Sequence, residues 1–476
     1  KIVPFLKNRP QTRINKGFPA VGFWGQTPIK NMDLLSKIVS LTKHRGFIFP
    51  TSEIYGGLQS TYDFGPLGVE LKNNIKKFWW QEIVYKHPEI FGLDSAILLH
   101  PKVWQASGHL NHFIDELVEC KKCHSRFKAE DVKENKCPLC QGEMTSPRQF
   151  RAMFETYLGP IQSKENIVYL RPETAQGIFT NFKNIYQTQR AKIPFGIAQI
   201  GKAFRNEITV GNFIFRLREF EQMELEYFVK PEEVDAFFLK WKEERMTWYL
   251  KMGIKKENLR FREHEKKELA HYAKATADIE YKFPWAWAEI EGIAHRADFD
   301  LKTHSQFSGE DLSYLDTETN QRYFPYVIEP SAGLERIFLA LLCEHYQEFP
   351  HGRLKGLKGG TLKQQEVERV LALPWFLSPI KVAVFPLIKK EPLIKIAQDI
   401  FNEIIKYWPA VYDKKDSIGR RYRREDERGT PLAITIDFDT LKDKAVTIRN
   451  RDTMKQERID IKDIKEYLNK IFNFEF

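Results

Sequence analysis

The sequence has little cysteine and no long apolar segment. Five cysteines among 476 residues cannot all pair, and four of them lie in two close pairs. This spacing is typical of a metal site rather than of the disulfide framework of a secreted protein. We therefore expect a reducing compartment, with the cytoplasm as the location. No uninterrupted apolar run is long enough to cross a bilayer, so we expect no membrane partner.

Acidic residues are missing from the first 32 positions. The basic residues of this segment are Lys1, Lys7, Arg9, Arg13, Lys16 and Lys30. One interpretation is the remnant of a transit peptide, which would place the protein in an organelle. The other is a basic extension that lies on the body of the protein. The net charge of +10 is compatible with a polyanionic partner such as RNA but does not by itself predict one.

The hydrophobic pattern divides the chain into four parts. Residues 1–32 form the basic extension, residues 33–350 a large domain, residues 351–379 a linker and residues 380–476 a C-terminal domain. The linker prediction depends on the stretch His351 to Gly360, which contains four glycines among basic residues. After the linker, strand and helix signals alternate, which predicts a small α/β domain.

Within the large domain, apolar spacing predicts a sequence of helices and strands. The elements are a helix at 33–45 ended by Gly46, a helix at 67–86 with Leu67, Leu71, Ile75, Phe78 and Trp79 on one side, strands from about 165 to 230, a charged helical segment at about 231–276, strands to about 330 and a helix at 333–347. The expected fold class is therefore α+β, with a large antiparallel core.

A first segment with candidate chemistry is 195–208. Read as a strand, it places Gln199, Arg205 and Glu207 on one face. A guanidinium at the end of a strand suits a phosphate because its planar fork bonds two oxygens at once. The alternative is a salt bridge on the surface.

A second segment, 219–228, carries two carboxylates beside an aromatic ring. Phe220, Gln222, Glu224 and Glu226 share one face of this predicted strand. A buried, unpaired carboxylate is costly, so a cationic ligand would explain its presence. We interpret the face as the wall of a cleft that holds a flat ring and an ammonium group.

A third segment runs from Glu329 to Leu342. Here we predict a strand that ends at Pro330, a Ser-Ala-Gly turn and an apolar helix with Arg336 in its first turn. The amide end of a helix favours anions, so Arg336 is a candidate ligand for a terminal phosphate.

Together these segments resemble motifs 2 and 3 of the class II aminoacyl-tRNA synthetases. The matching residues are Arg205-Asn206-Glu207, Phe220 to Glu224 and Gly333 to Arg336. Further segments resemble the dimeric (α2) glycyl-tRNA synthetase family. They are Tyr55 to Leu58, Asp63 to Gly68, Trp104 to His109, Arg171 to Gly177, Asp298 to Leu301 and Ser417 to Arg424, so that the resemblance covers about residues 33–476.

The resemblance implies both an architecture and a reaction. The architecture is an antiparallel class II catalytic domain with an inserted zinc module at 118–145, followed by an α/β anticodon-binding domain. The helix after Gly65 to Gly68 resembles motif 1, which implies a homodimer. The reaction is the ATP-dependent ligation of glycine to tRNA(Gly) through glycyl-adenylate, with Mg²⁺ bound to ATP.

The resemblance also implies roles for individual residues. Those for glycine are Glu173, Glu224 and Ser331 on the ammonium group, Glu329 in the negative field and Arg296 on the carboxylate side. Those for ATP are Arg205, Asn206, Glu207, Phe215, Phe220, Glu289, Ile290, Gly333 and Arg336. Arg205 and Arg336 are the catalytic pair, on the α- and γ-phosphates. Glu289 is a candidate for Mg²⁺ or for the ribose.

The two cysteine pairs predict a structural zinc site. Cys120 and Cys123 precede Cys137 and Cys140 by thirteen residues, and four thiolates on two turns suit tetrahedral zinc. The alternative is a module without a metal. Many bacterial relatives carry an arginine in the run after the first pair, where this chain has Lys128, which keeps the charge but loses the bidentate geometry.

A cluster of arginines near the C-terminus has two interpretations. Arg420, Arg421, Arg423 and Arg424 are candidates for contacts to tRNA phosphates in the anticodon domain. As a simple charge run they would form a solvated face. A rival for the whole chain is a non-catalytic RNA-binding paralogue, against which the presence of Arg205 and Arg336 argues. A second rival is an enzyme for another amino acid, against which the acidic residues argue.

Overall fold

The structure is a computed structural model that describes residues 29–208, 211–270, 272–350, 352–353 and 367–472. The predictions for most of the basic extension and for the glycine-rich part of the linker lie outside the described residues. The helices are Ile29–Arg45 (α1), Pro66–Trp80 (α2), Pro101–Ala106 (α3), His109–His112 (α4), Ala175–Gln189 (α5), Val234–Lys251 (α6), Phe299–Ser308 (α7), Leu334–His345 (α8), Glu391–Ile404 (α9), Ile418–Arg428 (α10), Thr440–Asp443 (α11) and Ile464–Phe472 (α12).

The strands fall into a large central sheet, a C-terminal sheet and several small ones. They are Ile48–Pro50 (β1), Tyr62–Phe64 (β2), Ile90–Gly92 (β3), Leu98–Leu99 (β4), Ile114–Glu119 (β5), Arg126–Lys128 (β6), Arg148–Arg151 (β7), Glu155–Tyr157 (β8), Ile167–Leu170 (β9), Phe195–Phe204 (β10), Glu219–Val229 (β11), Leu259–Glu263 (β12), Ala275–Lys282 (β13), Trp287–Ala297 (β14), Tyr314–Asp316 (β15), Gln321–Tyr323 (β16), Tyr326–Gly333 (β17), Tyr346–Phe349 (β18), Glu368–Leu371 (β19), Val382–Pro386 (β20), Ala410–Tyr412 (β21), Leu432–Ile436 (β22), Ala445–Asn450 (β23) and Gln456–Asp460 (β24).

The central sheet supports the candidate site. Among the described residues it has seven strands in the order β12-β13-β14-β17-β11-β10-β3, antiparallel except for β3 beside β10. One face packs on α2, α6 and α8 through the main apolar core. The other face packs on α5 at one end, through Phe182, Phe195 and Phe228. The rest of that face is left for a cleft.

The period of two along β11 sets which side chains face the cleft. Glu224 lies opposite Gln199 of β10 and Ser331 of β17, and Ser331 lies opposite Gly292 of β14. Opposed residues share a face of the sheet. The predicted grouping of the even-numbered residues of β11 is thereby confirmed, because Met223, Leu225 and Tyr227 lie in the apolar core on the opposite side.

Helix α2 confirms the predicted apolar side. Pro66 occupies its first turn, where the missing amide proton has no helical acceptor in any case. The predicted residues Leu67, Leu71, Ile75, Phe78 and Trp79 are all buried. The α-helix ends at Trp80 and continues as a π-helical turn, Gln81–Tyr85, so the predicted range 67–86 combines two kinds of helix.

Several predicted boundaries in the large domain were wrong. Strand β10 ends at Phe204. The amide of Arg205 still bonds the opposite carbonyl of Arg218, but the backbone amide of Asn206 bonds Ala152 and that of Glu207 bonds the carbonyl of Arg205, so the chain leaves the ladder. Arg205 and Glu207 therefore follow the strand instead of lying on its face. Strand β17 does not end at Pro330: it continues to pair through Gly333 and passes directly into α8.

Within the described residues of the charged segment 231–276, the α-helix is α6, Val234–Lys251, and short 3₁₀ turns lie at Pro231–Glu233, Lys256–Asn258 and Lys266–Glu268. Its remainder supplies β12 and the start of β13, at the edge of the central sheet. Edge strands expose one side to water, so their charges do not distinguish them from a surface helix. The helix predicted at 333–347 ends at His345.

The predicted linker, 351–379, is in part built into the large domain. Strand β19 pairs with β18, and Leu371, Leu373 and Leu377 lie in the main apolar core. Beyond it, strand β20 is parallel to β21 and β22, whereas β22-β23 and β23-β24 are antiparallel. Helices α9 and α12 pack on one face of this sheet and α10 on the other, which confirms mixed helix and sheet content there. No described helix is both long and apolar enough to traverse a bilayer.

Candidate active site

A cleft of about 320 Å³ opens on the uncovered face of the central sheet. Its floor comes from β11, β14 and β17. Its walls come from the loop between β10 and β11, the first turn of α8 and the segment that connects β12 to β13. Its lining combines an acidic cluster, Glu173, Glu224 and Glu329, with two arginine–aromatic pairs, Arg205 with Phe220 and Arg336 with Phe215.

Glu224 is the centre of the acidic cluster. Its carboxylate accepts a hydrogen bond from Ser331 Oγ at 2.8 Å and another from Thr174 Oγ1. Gln222 Nε2 donates to Ser331 Oγ at 3.2 Å, which fixes that hydroxyl. Burial and the neighbouring carboxylate of Glu173 raise the pKa of Glu224. A cationic ligand beside Glu224 would lower that pKa again, because it favours the ionised carboxylate.

Glu173 lies beside Glu224 in a more strongly paired setting. Its carboxylate is 3.2 Å from His109 Nε2 and accepts a hydrogen bond from Gln176 Nε2 at 3.0 Å. Burial opposes its ionisation, but His109 and Arg296 together lower the pKa of Glu173 far below its ordinary value. Glu173 is therefore a fixed negative charge in the cleft.

Arg296 does not fit the predicted contact to the substrate carboxylate. Its guanidinium bonds both oxygens of Asp300, at 2.8 Å each, and both oxygens of Glu329, at 2.9 and 3.1 Å. The ring of Tyr272 covers it, with 3.7 Å between the guanidinium carbon and the ring centroid. Because its donors are used within the protein, Arg296 positions Glu329 and offsets the surrounding negative charge.

Arg205 and Phe220 form one arginine–aromatic pair in the cleft. Arg205 Nε donates to the carbonyl of Pro172 at 3.0 Å, and the guanidinium lies 5.3 Å from the ring of Phe220. Glu207 lines the same wall. An arginine beside an exposed aromatic face suits a nucleotide, because the ring stacks on a base while the cation meets a phosphate.

Arg336 lies in the first turn of α8 as predicted, and its partners restrict it. It is 3.0 Å from the Glu289 carboxylate and donates to the Glu289 carbonyl at 3.1 Å. It also stacks on Phe215, 4.6 Å from the ring centroid. Burial opposes ionisation of Glu289, but Arg336 holds the pKa of that carboxyl below its ordinary value. Glu289 therefore has a cationic partner already.

Two predicted ATP residues do not reach the cleft with their side chains. Ile290 is fully buried in the main apolar core, on the side of β14 opposite to Glu289, because neighbouring residues of a strand point to opposite faces. Asn206 is not among the residues that line the cleft, and its backbone N–H donates to the carbonyl of Ala152 at 2.7 Å. Gly333, in contrast, lines the cleft at the junction of β17 and α8.

The four predicted zinc ligands come together. Their Sγ atoms all lie within 4.8 Å of one another, with 3.5 Å between Cys120 and Cys140 and 3.6 Å between Cys123 and Cys137. Tetrahedral zinc with bonds of about 2.3 Å requires separations of about 3.8 Å. A Cβ at Gly142 would lie 3.1 Å from Cys120 Sγ, so glycine leaves room for the thiolates. The residues fit a zinc ion.

Lys128, the lysine in the run after the first cysteine pair, donates to the carboxylate of Asp115 at 2.8 Å.

The arginine cluster at 420–424 divides into different environments. Arg421 is buried, and its terminal nitrogens donate to the carbonyls of Pro386, Leu387 and Asp413 at 2.7 to 3.0 Å. The prediction that Arg421 contacts RNA was wrong, because the side chain supports the fold of the domain. Arg424 pairs with Asp413 and Asp416. Arg420 is exposed and Arg423 half-buried.

The sequence motifs contained supporting residues whose roles the sequence did not reveal. They are Thr174 on Glu224, His109 and Gln176 on Glu173, and Asp300 on Arg296. All four lie inside segments that carried the family resemblance, so membership of a motif was the available signal. Tyr272 lies in no such segment.

Comparison with known proteins agrees with this geometry. Residues 154–346 match the family described as tRNA synthetase class II core domain (G, H, P, S and T), and residues 381–471 match the family described as anticodon binding domain. The chain is 50% identical over 457 residues to the glycine–tRNA ligase of Thermobifida fusca (strain YX), which covers 92% of this chain and 97% of that protein. It is 49% identical over 469 residues to the glycine–tRNA ligase of Geobacillus kaustophilus (strain HTA426), a match that covers 92% of this chain and 99% of that protein. Identity at this level across both domains shows that the chain belongs to the glycine–tRNA ligase family.

Proposed function

We propose that the protein activates glycine with ATP and ligates it to tRNA(Gly) through glycyl-adenylate. The observation that carries the proposal is that a buried acidic cluster and an arginine–aromatic cluster line the same cleft. The first suits a small ammonium group and the second a nucleotide triphosphate. The reaction joins these two substrates, so both have to lie in one site.

At the acidic cluster, the ammonium group of glycine binds Glu224, Glu173 and Ser331. Glycine has no side chain, so its selection depends on its charged groups and on the lack of space for anything larger. The acidic residues are 1 to 7% exposed, and the Ser331 hydroxyl is already oriented by Gln222. A pocket that is rigid and pre-oriented rejects a longer amino acid by steric clash.

In the same cleft, ATP places its adenine against Phe220 and its α-phosphate at Arg205. The glycine carboxylate attacks the α-phosphorus, the bond to the bridging oxygen breaks and pyrophosphate leaves. A carboxylate is already ionised at neutral pH, so this step needs no general base. Arg205 stabilises the charge on the α-phosphate oxygens, and Arg336 holds the γ-phosphate.

Magnesium enters with ATP, and Glu289 is the candidate for its protein ligand. Mg²⁺ in such sites binds substrate phosphates and one or two carboxylates. Glu289 offers one carboxylate, but it is paired with Arg336. Binding of the γ-phosphate by Arg336 would release that carboxylate, either for the metal or for the ribose.

The remaining proposals concern the assembly. The Cys120–Cys140 site holds one structural zinc, which stabilises the turns after β5 and leaves no open position for catalysis. Arg420, which is exposed, is the member of the arginine cluster that supports tRNA binding best. The resemblance of α2 to motif 1 supports a homodimer, which light scattering on the purified protein tests directly.

The test of the main proposal is amino-acid-dependent exchange between pyrophosphate and ATP, run with each of the twenty amino acids and without tRNA. Exchange with glycine alone is the expected result. Exchange with another amino acid would contradict the assignment of the acidic pocket. No exchange from folded, zinc-loaded protein would favour the non-catalytic RNA-binding alternative.

A further inference from the structure

Three carboxylates crowd together below the proposed glycine site in the cleft. Glu224 and Glu226 lie on β11 and Glu329 on the neighbouring β17, and one carboxylate oxygen from each lies within 4.8 Å of the others. Their residues are 1, 0 and 7% exposed. Three negative charges at this distance, shielded from water, repel one another too strongly for all to be ionised.

The groups around the cluster do not supply enough positive charge to balance it. The charged and titratable side chains that face it are Arg171 and Glu173 before α5, Arg296 of β14, Asp300 and His304 of α7, and Tyr272 of the segment between β12 and β13. His109 pairs with Glu173, which leaves the charges of Arg171 and Arg296 against four carboxylates, those of Asp300 and of the three clustered glutamates. The cluster therefore needs protons or an added cation.

Glu226 has a different environment from the other two carboxylates. It does not line the cleft, and within the described part of the chain neither of its carboxylate oxygens has a hydrogen-bond partner. An ionised carboxylate without any partner is strongly disfavoured in a buried site. A carboxylic acid that retains its proton is compatible with this position.

We propose, building on the proposed function, that the substrate-free cluster holds two protons, on Glu226 and Glu329, and that the ammonium group of glycine displaces the proton of Glu329 while Glu226 stays neutral. The displaced proton passes to solvent. Glu329 lines the cleft, so the ammonium group reaches it, whereas Glu226 is out of reach behind it. Glu329 thus binds the ammonium group, and Glu226 is a positioning residue that sets the charge of the pocket.

The affinity for glycine depends on pH through the ionisation of Glu329. Burial raises the pKa of Glu329 to about 8, with Glu224 and Glu173 adding to the rise and Arg296 opposing it. At pH 7 the carboxyl is mostly protonated, and glycine has to remove that proton to gain the ion pair. Glycine binding therefore strengthens as the pH rises, and the effect ends above the pKa of Glu329, where no proton is left to displace.

The measurement is titration calorimetry of glycine into the protein in the presence of a non-hydrolysable ATP analogue. Repeating it in buffers of different ionisation enthalpy gives the number of protons released. We expect about 0.9 proton per glycine at pH 7 and about 0.5 at pH 8, and binding about five-fold tighter at pH 8 than at pH 7. Glycine binding with no proton release overturns this inference alone. No glycine binding at all overturns the proposed function.

Variants identify the residues. Glu329→Gln should release no proton and bind glycine with an affinity independent of pH between 7 and 8. Glu226→Gln replaces a neutral acid with a neutral amide, so it should keep the wild-type proton release. A variant that released no proton would overturn the inference that Glu226 stays neutral when glycine binds. Glu318→Gln, at an exposed residue paired with Lys192, is the matched control. If Glu329→Gln fails to fold, as judged by binding of the ATP analogue, the wild-type and Glu226→Gln titrations still show whether glycine displaces a proton.

Discussion

Replacement of Arg205 by alanine separates chemistry from folding. Arg205 follows β10, and its guanidinium lies between the rings of Phe113 and Phe220, 5.7 and 5.3 Å from their centroids. Within the described part of the chain, its side chain donates one hydrogen bond, to the carbonyl of Pro172 at 3.0 Å. Little of the fold therefore depends on it.

The expected magnitudes differ widely. Removal of one hydrogen bond costs about 1 kcal/mol of stability, and two exposed cation–π contacts add about 0.5–1 kcal/mol each. In the reaction, an arginine that stabilises a phosphoryl transition state is worth about 10³–10⁵ in rate. At about 1.4 kcal/mol per factor of ten this is roughly 4–7 kcal/mol. We therefore expect a folded protein whose glycine-dependent pyrophosphate exchange falls at least about a thousand-fold.

The assay combines pyrophosphate exchange with tRNA binding measured by filter retention. Arg205→Ala should keep the wild-type affinity for tRNA, and Arg205→Lys should recover part of the exchange, because it keeps the charge but loses the planar fork. Arg322→Ala, at an exposed arginine paired with Asp311, is the control and should behave as wild type. A loss of exchange of only about ten-fold (about 1.4 kcal/mol), or an equal loss of tRNA affinity, would refute the role assigned to Arg205.

Three further changes test other parts of the molecule. Glu224→Gln should raise the KM for glycine at least ten-fold (about 1.4 kcal/mol or more) and leave the KM for ATP nearly unchanged; an unchanged glycine KM in exchange kinetics would contradict the ammonium site. Arg421→Ala should destabilise the C-terminal domain by roughly 3–5 kcal/mol, because it leaves buried carbonyls unpaired. Arg420→Ala should leave the thermal midpoint unchanged and lower the slope of log affinity for tRNA against log salt concentration by about 1. A lower salt slope in Arg421→Ala with an unchanged thermal midpoint would show that Arg421 contacts RNA. Metal analysis should find one zinc per chain, and Cys137→Ala should lose it and expose the module to protease; full zinc content in that variant would exclude Cys137 as a ligand.

The acidic cluster was predicted from one local rule and from the family resemblance. The period of two along β11 put Glu224 and Glu226 on one face. The resemblance added Glu173, Glu329 and Ser331 from other segments. Helical spacing predicted the buried side of α2, and the spacing of the two cysteine pairs predicted that the four cysteines converge.

The failures have a common physical cause. Which partner a charged side chain takes depends on contacts across the fold, and such contacts leave no local pattern. Arg296 was expected on substrate and is satisfied by Asp300 and Glu329. Arg421 looked like its neighbours in a basic run and is buried against backbone carbonyls. The small residues before Gly333 resembled a turn, although they continue the ladder with β11.

The unbroken passage from β17 to α8 places residues proposed for both substrates on one continuous stretch of backbone. Glu329 and Ser331 stand on its strand half and Arg336 on its helical half. The spacing between the proposed amino-acid site and the proposed γ-phosphate site is therefore set by a strand that passes directly into a helix. One residue inserted into the strand half would turn Ser331 away from the cleft while Arg336 remained in its helix, so the two substrates would lose alignment even where each still bound.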